Sequence, residues 1–293
     1  MFRGTYTALV TPFHNDRVDE AAFERLIEFQ IESGITGIVP VGTTGESPTL
    51  DHEEHMRVIE LAIKFARGRC QVIAGTGSNS TREAIGMTRE AEKLGADGAL
   101  LVAPYYNRPT QEGIYLHYKT IAEATKLPLV LYSIPGRCGV EIGVETTKRL
   151  AETVPNIVCI KEAGGSVERV SALRAVLPQE FTILSGDDSL TLPFMAAGAV
   201  GVISVASNIA PREVGDLVRL FDNGKIAEAR ALHFKLYPLF KDLFIESNPV
   251  PVKTALAWAG RMSAEVRLPL CALGDASAKK LRATLESLNL LAK

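Results

Sequence analysis

The stretch "NIVCIKEAGGSVERVSALRAVLPQEFTILSGDD" (156–188) decides the fold when it is read in units. It opens on an apolar run, Ile157 to Ile160, with none of the polar alternation of a half-exposed strand, so both faces are expected to be buried. Gly164-Gly165 interrupt it, Ser166–Val176 reads as a helix, and a second apolar run, "FTILS" (181–185), follows. The same order repeats along the chain. Strand candidates are "TYTALV" (5–10), "GIVPV" (37–41), "CQVIAG" (70–75), "GALLV" (98–102), "LPLVLY" (127–132), "NIVCI" (156–160), "FTILS" (181–185) and "VGVIS" (200–204). Helices are expected over 19–33, from Asp51 onward with Glu54 completing a capping box, and over 81–94, 111–125, 144–153, 166–176, 190–197 and 212–221. Strand then helix, repeated in this way, is the order of a (β/α)8 TIM barrel. A doubly wound sheet is the competing fold, but "AGTGSNS" (74–80) lacks the third glycine of a dinucleotide loop. After Asn223-Gly224 the strand pattern stops, and 226–244, 252–259 and 276–291 read as helices. The expected organisation is a catalytic barrel over 1–224 with a C-terminal helical extension over 225–293.

Composition narrows the function classes. The chain has 293 residues, 46% of them hydrophobic, and 32 basic against 34 acidic side chains. Mean hydropathy is +0.11, an ordinary globular balance. No basic footprint points to nucleic acid. Cys70, Cys138, Cys159 and Cys271 form no C-x-x-C pair, which suits reduced thiols in a cytoplasm. The first residues have no signal-peptide layout, and the longest apolar stretch, Ala196–Ala206, is too short for a membrane span.

Barrel enzymes carry their chemistry at the C-terminal ends of strands. There the sequence offers "GTTGES" (42–47), "PYYNRP" (104–109), Tyr132 with Arg137, Lys161 with Glu162, "SGDD" (185–188) and the end of the eighth strand near Ser204. Lys161 has two readings: a rim lysine paired with Glu162, or a desolvated amine whose lowered pKa makes it a nucleophile for a carbonyl substrate. The tyrosine ending the neighbouring strand favours the second, because it is positioned for proton transfer. "GTTGES" offers two hydroxyls and backbone N–H groups to a carboxylate, or is a plain glycine turn. Tyr105 and Tyr106 are packing aromatics or site residues, and Arg137 is a surface ion pair or a carboxylate fork. Of the five histidines only those of "DHEEH" (51–55) cluster, and neither a zinc pattern nor a G-x-S-x-G motif is present.

Read together, "ALVTPF", "GTTGES", "PYYNRP", "LYSIPGR", "IKEAGG", "LSGDD" and "NPVPVK" (248–253) resemble the dihydrodipicolinate synthase family of the pyruvate-dependent class I aldolases, in order and over nearly the whole chain. The resemblance implies a barrel with a C-terminal helical part, assembled as a homotetramer, a dimer of dimers. It implies condensation of pyruvate with L-aspartate 4-semialdehyde on the lysine (diaminopimelate) pathway, without metal or organic cofactor. By the same resemblance Lys161 forms the Schiff base. Tyr132 relays protons through Thr43 to Tyr106, which reaches in from a neighbouring subunit. Thr43 and Thr44 hold the pyruvate carboxylate, Arg137 that of the semialdehyde, and Ile203 belongs to the substrate-binding set. Ser47, His52, His55, Asn79, Glu83 and Tyr105 match the family's lysine feedback site, with L-lysine as inhibitor.

The chain departs from the family pattern at Pro48, Ser133, Gly136, Cys138 and Cys159. Gly136 and Cys138 raise the expectation of a looser Arg137 loop. Sister pyruvate aldolases, among them N-acetylneuraminate lyase, 2-keto-3-deoxygluconate aldolase and 4-hydroxy-2-oxoglutarate aldolase, share the lysine, tyrosine and "GTTGE", and Arg137 discriminates against them. A non-catalytic keto-acid sensor on the same barrel is the reading from another class.

Overall fold

A computed structural model of the chain describes residues 2–291; the outer limits of the two expected parts, Met1 and Lys293, lie outside them. Eight parallel strands close into a barrel: β1 (Gly4–Ala8), β2 (Gly37–Val39), β3 (Gln71–Gly75), β4 (Gly98–Val102), β5 (Leu129–Ser133), β6 (Ile157–Glu162), β7 (Thr182–Ser185) and β8 (Gly201–Ser204). Each pairs with its neighbours in sequence, and β1 closes on β8 with Tyr6 opposite Ile203. This is the expected TIM barrel, and the doubly wound alternative is set aside.

Around it lie α1 (Glu20–Glu32), α2 (His52–Ala66), α3 (Thr81–Leu94), α4 (Gln111–Ala122), α5 (Val144–Thr153), α6 (Val167–Val176), α7 (Thr191–Ala196) and α8 (Pro211–Asp222). Their starts follow capping chemistry. Asp19 accepts from the Ala22 N–H, Ser166 from the Arg169 N–H, and Asp51 forms the expected box with Glu54. Three helices follow: α9 (Ile226–Asp242), α10 (Val250–Trp258) and α11 (Asp275–Ser287). They bury Leu236, Leu239, Leu256, Leu281 and Leu285 against Val202 and Val205 of the β8 end and Leu217 of α8.

Two of the strands that fall short of their apolar runs are cut by proline, which cannot donate to a ladder. β2 ends before Pro40, and β5 starts after Pro128, which contributes only its carbonyl, to the Ala99 N–H. β6 is longer than expected and runs through Lys161 and Glu162. A small hairpin, Phe13–His14 with Arg17–Val18, was not anticipated; its Asn15-Asp16 turn has both residues at positive φ, as a type I′ turn requires.

Candidate active site

The orientation of Lys161 depends on one residue. β5 and β6 pair as Leu129 with Ile157, then Val130 with Cys159, so Val158 is an extra residue in β6. A one-residue shift exchanges the faces of a strand. Beyond the bulge, Cys159 joins Val130 and Tyr132 in the barrel interior, while Ile160 joins the layer under the helices. Lys161 therefore points inward and Glu162 outward. The rim pair of Lys161 with Glu162 does not exist: Glu162 bonds the Arg169 guanidinium at 2.9 Å and the Gly164 N–H at 2.7 Å.

Lys161 is 6% exposed, and its Nζ lies 4.1 Å from the centroid of the Tyr132 ring, its partner across the strands. Burial brings its pKa down to about 7; the Asp188 carboxylate acts against this and the Arg137 guanidinium adds to it. Burial likewise pushes Tyr132 up to about 12, with Thr43 and Arg137 opposing, so its phenol keeps its proton at neutral pH. Gly186 makes room for the lysine, since a Cβ there would stand 3.1 Å from Lys161 Cε and 2.7 Å from Ala163 Cβ. Asp188, whose pKa burial raises to about 6, accepts from the Val205 and Ala206 N–H groups at 3.0 and 2.9 Å and from the Ser204 hydroxyl. It thus ties the β7 end to the β8 end.

A cavity of about 240 Å³ opens at this end of the barrel, with Thr43, Ser47, Tyr105, Tyr132, Arg137 and Cys138 in its wall. Thr44 is buried next to it, where its hydroxyl accepts from Asn248 Nδ2 at 3.0 Å. The Asn248 carbonyl accepts from Arg137 at 3.3 Å. Ile203 lies in the interior cluster with Tyr132. The "GTTGES" turn is more selective than expected. The N–H groups of Gly45, Glu46 and Ser47 bond carbonyls of the turn itself, and those of Gly42, Thr43 and Thr44 have no acceptor among the described residues. Tyr106 does not join the site: it is 91% exposed, at a φ of 70°. Residues 135–138 form one helical turn closed by Gly139 in the left-handed region, Cys138 is buried, and Gly136 faces open space.

A second cavity, of about 200 Å³, backs onto the first. Ser47, His52, His55, Glu83 and Tyr105 line it. Asn79 is not in its wall but bonds the Tyr105 carbonyl at 3.1 Å. His52 Nε2 lies 2.6 Å from Glu83 Oε1, and the Ser78 hydroxyl donates to the other oxygen, holding the Glu83 carboxyl below its usual range. His55 Nε2 is 2.7 Å from the Gly75 carbonyl, and burial lowers its pKa. Among the described residues, no three His, Cys, Asp or Glu side chains are grouped to hold a metal ion, and no helix is long and apolar enough to cross a membrane.

Sequence reasoning assigned no roles to Asp188, Gly186, Asn248 or the buried pair Glu46 and Lys253. Their signal lay inside "SGDD", "GTTGES" and "NPVPVK", quoted as motifs but not resolved into partners.

A closed parallel barrel with a buried, low-pKa lysine beside a tyrosine at its C-terminal mouth defines an aldolase-type lyase that works through a Schiff base. The model of the dihydrodipicolinate synthetase family matches residues 1–288, and the chain belongs to that family. The 4-hydroxy-tetrahydrodipicolinate synthase of Geotalea uraniireducens is 56% identical over 291 residues, 99% of this chain and 100% of that one. The solved synthase of that name from the thermoacidophilic methanotroph Methylacidiphilum fumariolicum SolV is 60% identical, superimposes with a TM-score of 0.98, and is matched over 99% of this chain and 96% of its own. A dihydrodipicolinate synthase from Cyanidioschyzon merolae, solved with lysine bound, is 42% identical with a TM-score of 0.97, over 99% of both chains.

Proposed function

We propose that this chain is a 4-hydroxy-tetrahydrodipicolinate synthase, condensing pyruvate with L-aspartate 4-semialdehyde in the cytoplasm for lysine (diaminopimelate) biosynthesis. The observation that carries the reading is the buried amine of Lys161 against Tyr132, at the strand ends where barrel chemistry resides. The neutral amine attacks the keto carbon of pyruvate. The Tyr132 phenol gives a proton to the departing hydroxyl, which leaves as water, and a protonated imine remains. That cation is the electron sink, so a methyl proton is lost to the Tyr132 oxygen and an enamine forms. The enamine carbon attacks the aldehyde, and the aldehyde oxygen takes up a proton. The substrate's amine then adds to the imine carbon, closes the ring and expels Lys161. The lysine supplies the electronic function itself, and no cofactor enters these steps.

The Thr43 and Thr44 hydroxyls and N–H groups hold the pyruvate carboxylate in this reading, which their lack of other N–H acceptors supports. Arg137, fixed by the Asn248 carbonyl, takes the semialdehyde carboxylate, and Ile203 bounds the pyruvate side. Tyr106, turned out to solvent, completes the relay from Tyr132 through Thr43 by entering the site of a second copy, so the active form is a homo-oligomer, a tetramer built as a dimer of dimers. Residues 1–224 carry the chemistry and 225–293 support it.

The test is turnover of both substrates, coupled to dihydrodipicolinate reductase, with Lys161→Ala as control. Activity abolished in the control is expected; an inactive wild-type protein would move the assignment to a sister aldolase. Arg137→Ala should raise KM for the semialdehyde far more than KM for pyruvate. The second cavity supports feedback by L-lysine, held by Ser47, His52, His55, Asn79, Glu83 and Tyr105. Undiminished turnover at millimolar lysine would refute that.

A further inference from the structure

The turn that carries Thr43 and Thr44 is not a relaxed one. Val41 and Glu46, at its two ends, are non-glycine residues in the left-handed region, with φ of 57° and 55°. For β-branched Val41 that conformation is a true outlier. The turn is also crowded against β3, where a Cβ on Gly75 would meet the Val41 carbonyl oxygen at 2.3 Å. Such a conformation persists only where its surroundings over-determine it.

Those surroundings come from the other end of the chain. Glu46 is 2% exposed and Lys253, on α10, is completely buried; Lys253 Nζ lies 2.5 Å from Glu46 Oε1. The second oxygen, Oε2, accepts from the Arg267 N–H at 3.1 Å. Both cations rest on the Phe13 ring, Lys253 Nζ 4.2 Å and the Arg267 guanidinium 4.4 Å from its centroid. Arg267 continues to the Thr49 carbonyl at 2.8 Å and to Glu54 at 2.6 and 2.7 Å. The turn is thus gripped at successive points, with Asn248 on Thr44, Lys253 on Glu46 and Arg267 on Thr49. A buried ion pair is a poor source of net stability, because desolvation offsets the attraction and an apolar pair of similar volume often does as well. What an apolar pair cannot do is orient the Glu46 side chain through two hydrogen bonds, from Lys253 Nζ and from the Arg267 N–H.

We propose that Glu46 and Lys253 are positioning residues for the keto-acid subsite: their buried pair, completed by the Arg267 N–H, holds the strained turn so that the Thr43 and Thr44 N–H and hydroxyl groups meet the substrate carboxylate together. This rests on the reading that those threonines hold the carboxylate of pyruvate. The pair touches no substrate, so its effect reaches the reaction only through the turn.

The experiment compares the wild type with the double variant Glu46→Met/Lys253→Met and with Thr44→Val, measuring melting temperature, KM for each substrate, and the rate of borohydride-trapped pyruvate adduct on Lys161. The double variant is expected to stay folded and to raise KM for pyruvate at least tenfold, with less than a threefold change in KM for the semialdehyde. A merely structural pair would lower the melting temperature and leave that ratio unchanged. Thr44→Val should raise KM for pyruvate as well. If it does and the folded double variant keeps the wild-type value, the positioning role is refuted while the carboxylate reading stands. If Thr44→Val leaves KM unchanged, the carboxylate reading fails and the proposal with it. Should the double variant not fold, Glu46→Gln carries the same comparison. It keeps the side chain's size but turns an amide N–H toward either Lys253 or the Arg267 N–H, and a rise in pyruvate KM of about threefold or more is expected. A wild-type value there would overturn the proposal.

Discussion

The rate of imine formation should follow the titration of a lysine near neutrality, and the structure says which way two substitutions will move it. With a pKa of about 7, Lys161 is about half neutral at pH 7. An ordinary lysine, near 10.5, would be neutral only about once in 3,000 molecules at that pH. Burial therefore raises the reactive fraction by about three orders of magnitude. Asp188 opposes burial by favouring the charged amine. Asparagine at 188 can keep the local bonds, its carbonyl accepting from the Val205 and Ala206 N–H groups and its amide donating to Ser204. Asp188→Asn should then lower the Lys161 pKa and move the acidic limb of the rate to lower pH. A shift of one unit makes trapping about threefold faster at about pH 6.5, above the pKa of about 6 at which Asp188 itself takes up a proton. Arg137→Ala removes a like charge and should move the limb the opposite way, toward higher pH. The assay is borohydride trapping of the pyruvate adduct across pH 5 to 10, read by intact mass. A wild-type rate still climbing tenfold per unit up to pH 10, or an alkaline shift in Asp188→Asn, would refute the account of a burial-activated amine.

The same burial has a cost in stability. Between pH 7 and about 10.5 the unfolded chain binds a proton on Lys161 that the folded chain does not, so stability should rise with pH across that window, by up to about 1.4 kcal/mol per unit. Lys161→Met should abolish this part of the slope and be the more stable protein at pH 7 in urea titrations. Gly186→Ala puts a methyl 2.7 Å from Ala163 Cβ and 3.1 Å from Lys161 Cε, so the chain must shift; adduct trapping should slow at least tenfold and the melting temperature should fall. Arg169→Met strands the fully buried Glu162 and should cost about 3–5 kcal/mol in chemical denaturation. A cost below about 1 kcal/mol would mean that Glu162 finds another partner or takes up a proton freely. His52→Ala frees one oxygen of Glu83 and should change L-lysine inhibition several-fold while leaving uninhibited turnover intact, as dose–response curves would show.

How much of this was readable from the chain depends on the range of each interaction. Strands announced themselves as apolar runs because both barrel faces are buried, and helix starts because Asp19, Asp51 and Ser166 cap locally. Lys161 stood out because a charge follows an apolar run without a break. Its direction did not: that depends on the bulge at Val158, which exists only relative to β5. The strand ends at Pro40 and Pro128 were legible in principle, since proline's missing N–H is a property of the residue alone. That the turn uses the N–H groups of Gly45, Glu46 and Ser47 itself and leaves those of Gly42, Thr43 and Thr44 without an acceptor among the described residues is a property of the folded turn, not of its sequence. The contacts that hold that turn lie furthest from local pattern, with Asn248 204 residues from Thr44 and Lys253 207 from Glu46.

Those long-range contacts also bear on why the two cavities are neighbours. Ser47, Pro48, Gly77, Val102 and Tyr105 belong to the walls of both. The turn from Gly42 to Leu50 therefore presents Thr43 to the first cavity, Leu50 to the second and its Ser47-Pro48 corner to both, and the α2 helix bearing His52 and His55 is tied to the same turn through Arg267 and Glu54. A ligand in the second cavity that moves Ser47 or His52 has to move an element whose conformation is already strained at Val41 and Glu46. Strained, over-determined segments change between discrete arrangements more readily than by smooth deformation. Coupling between the cavities then needs no long path through the barrel: one shared wall, biased from either side, suffices, and linkage requires the bias to be equal in both directions.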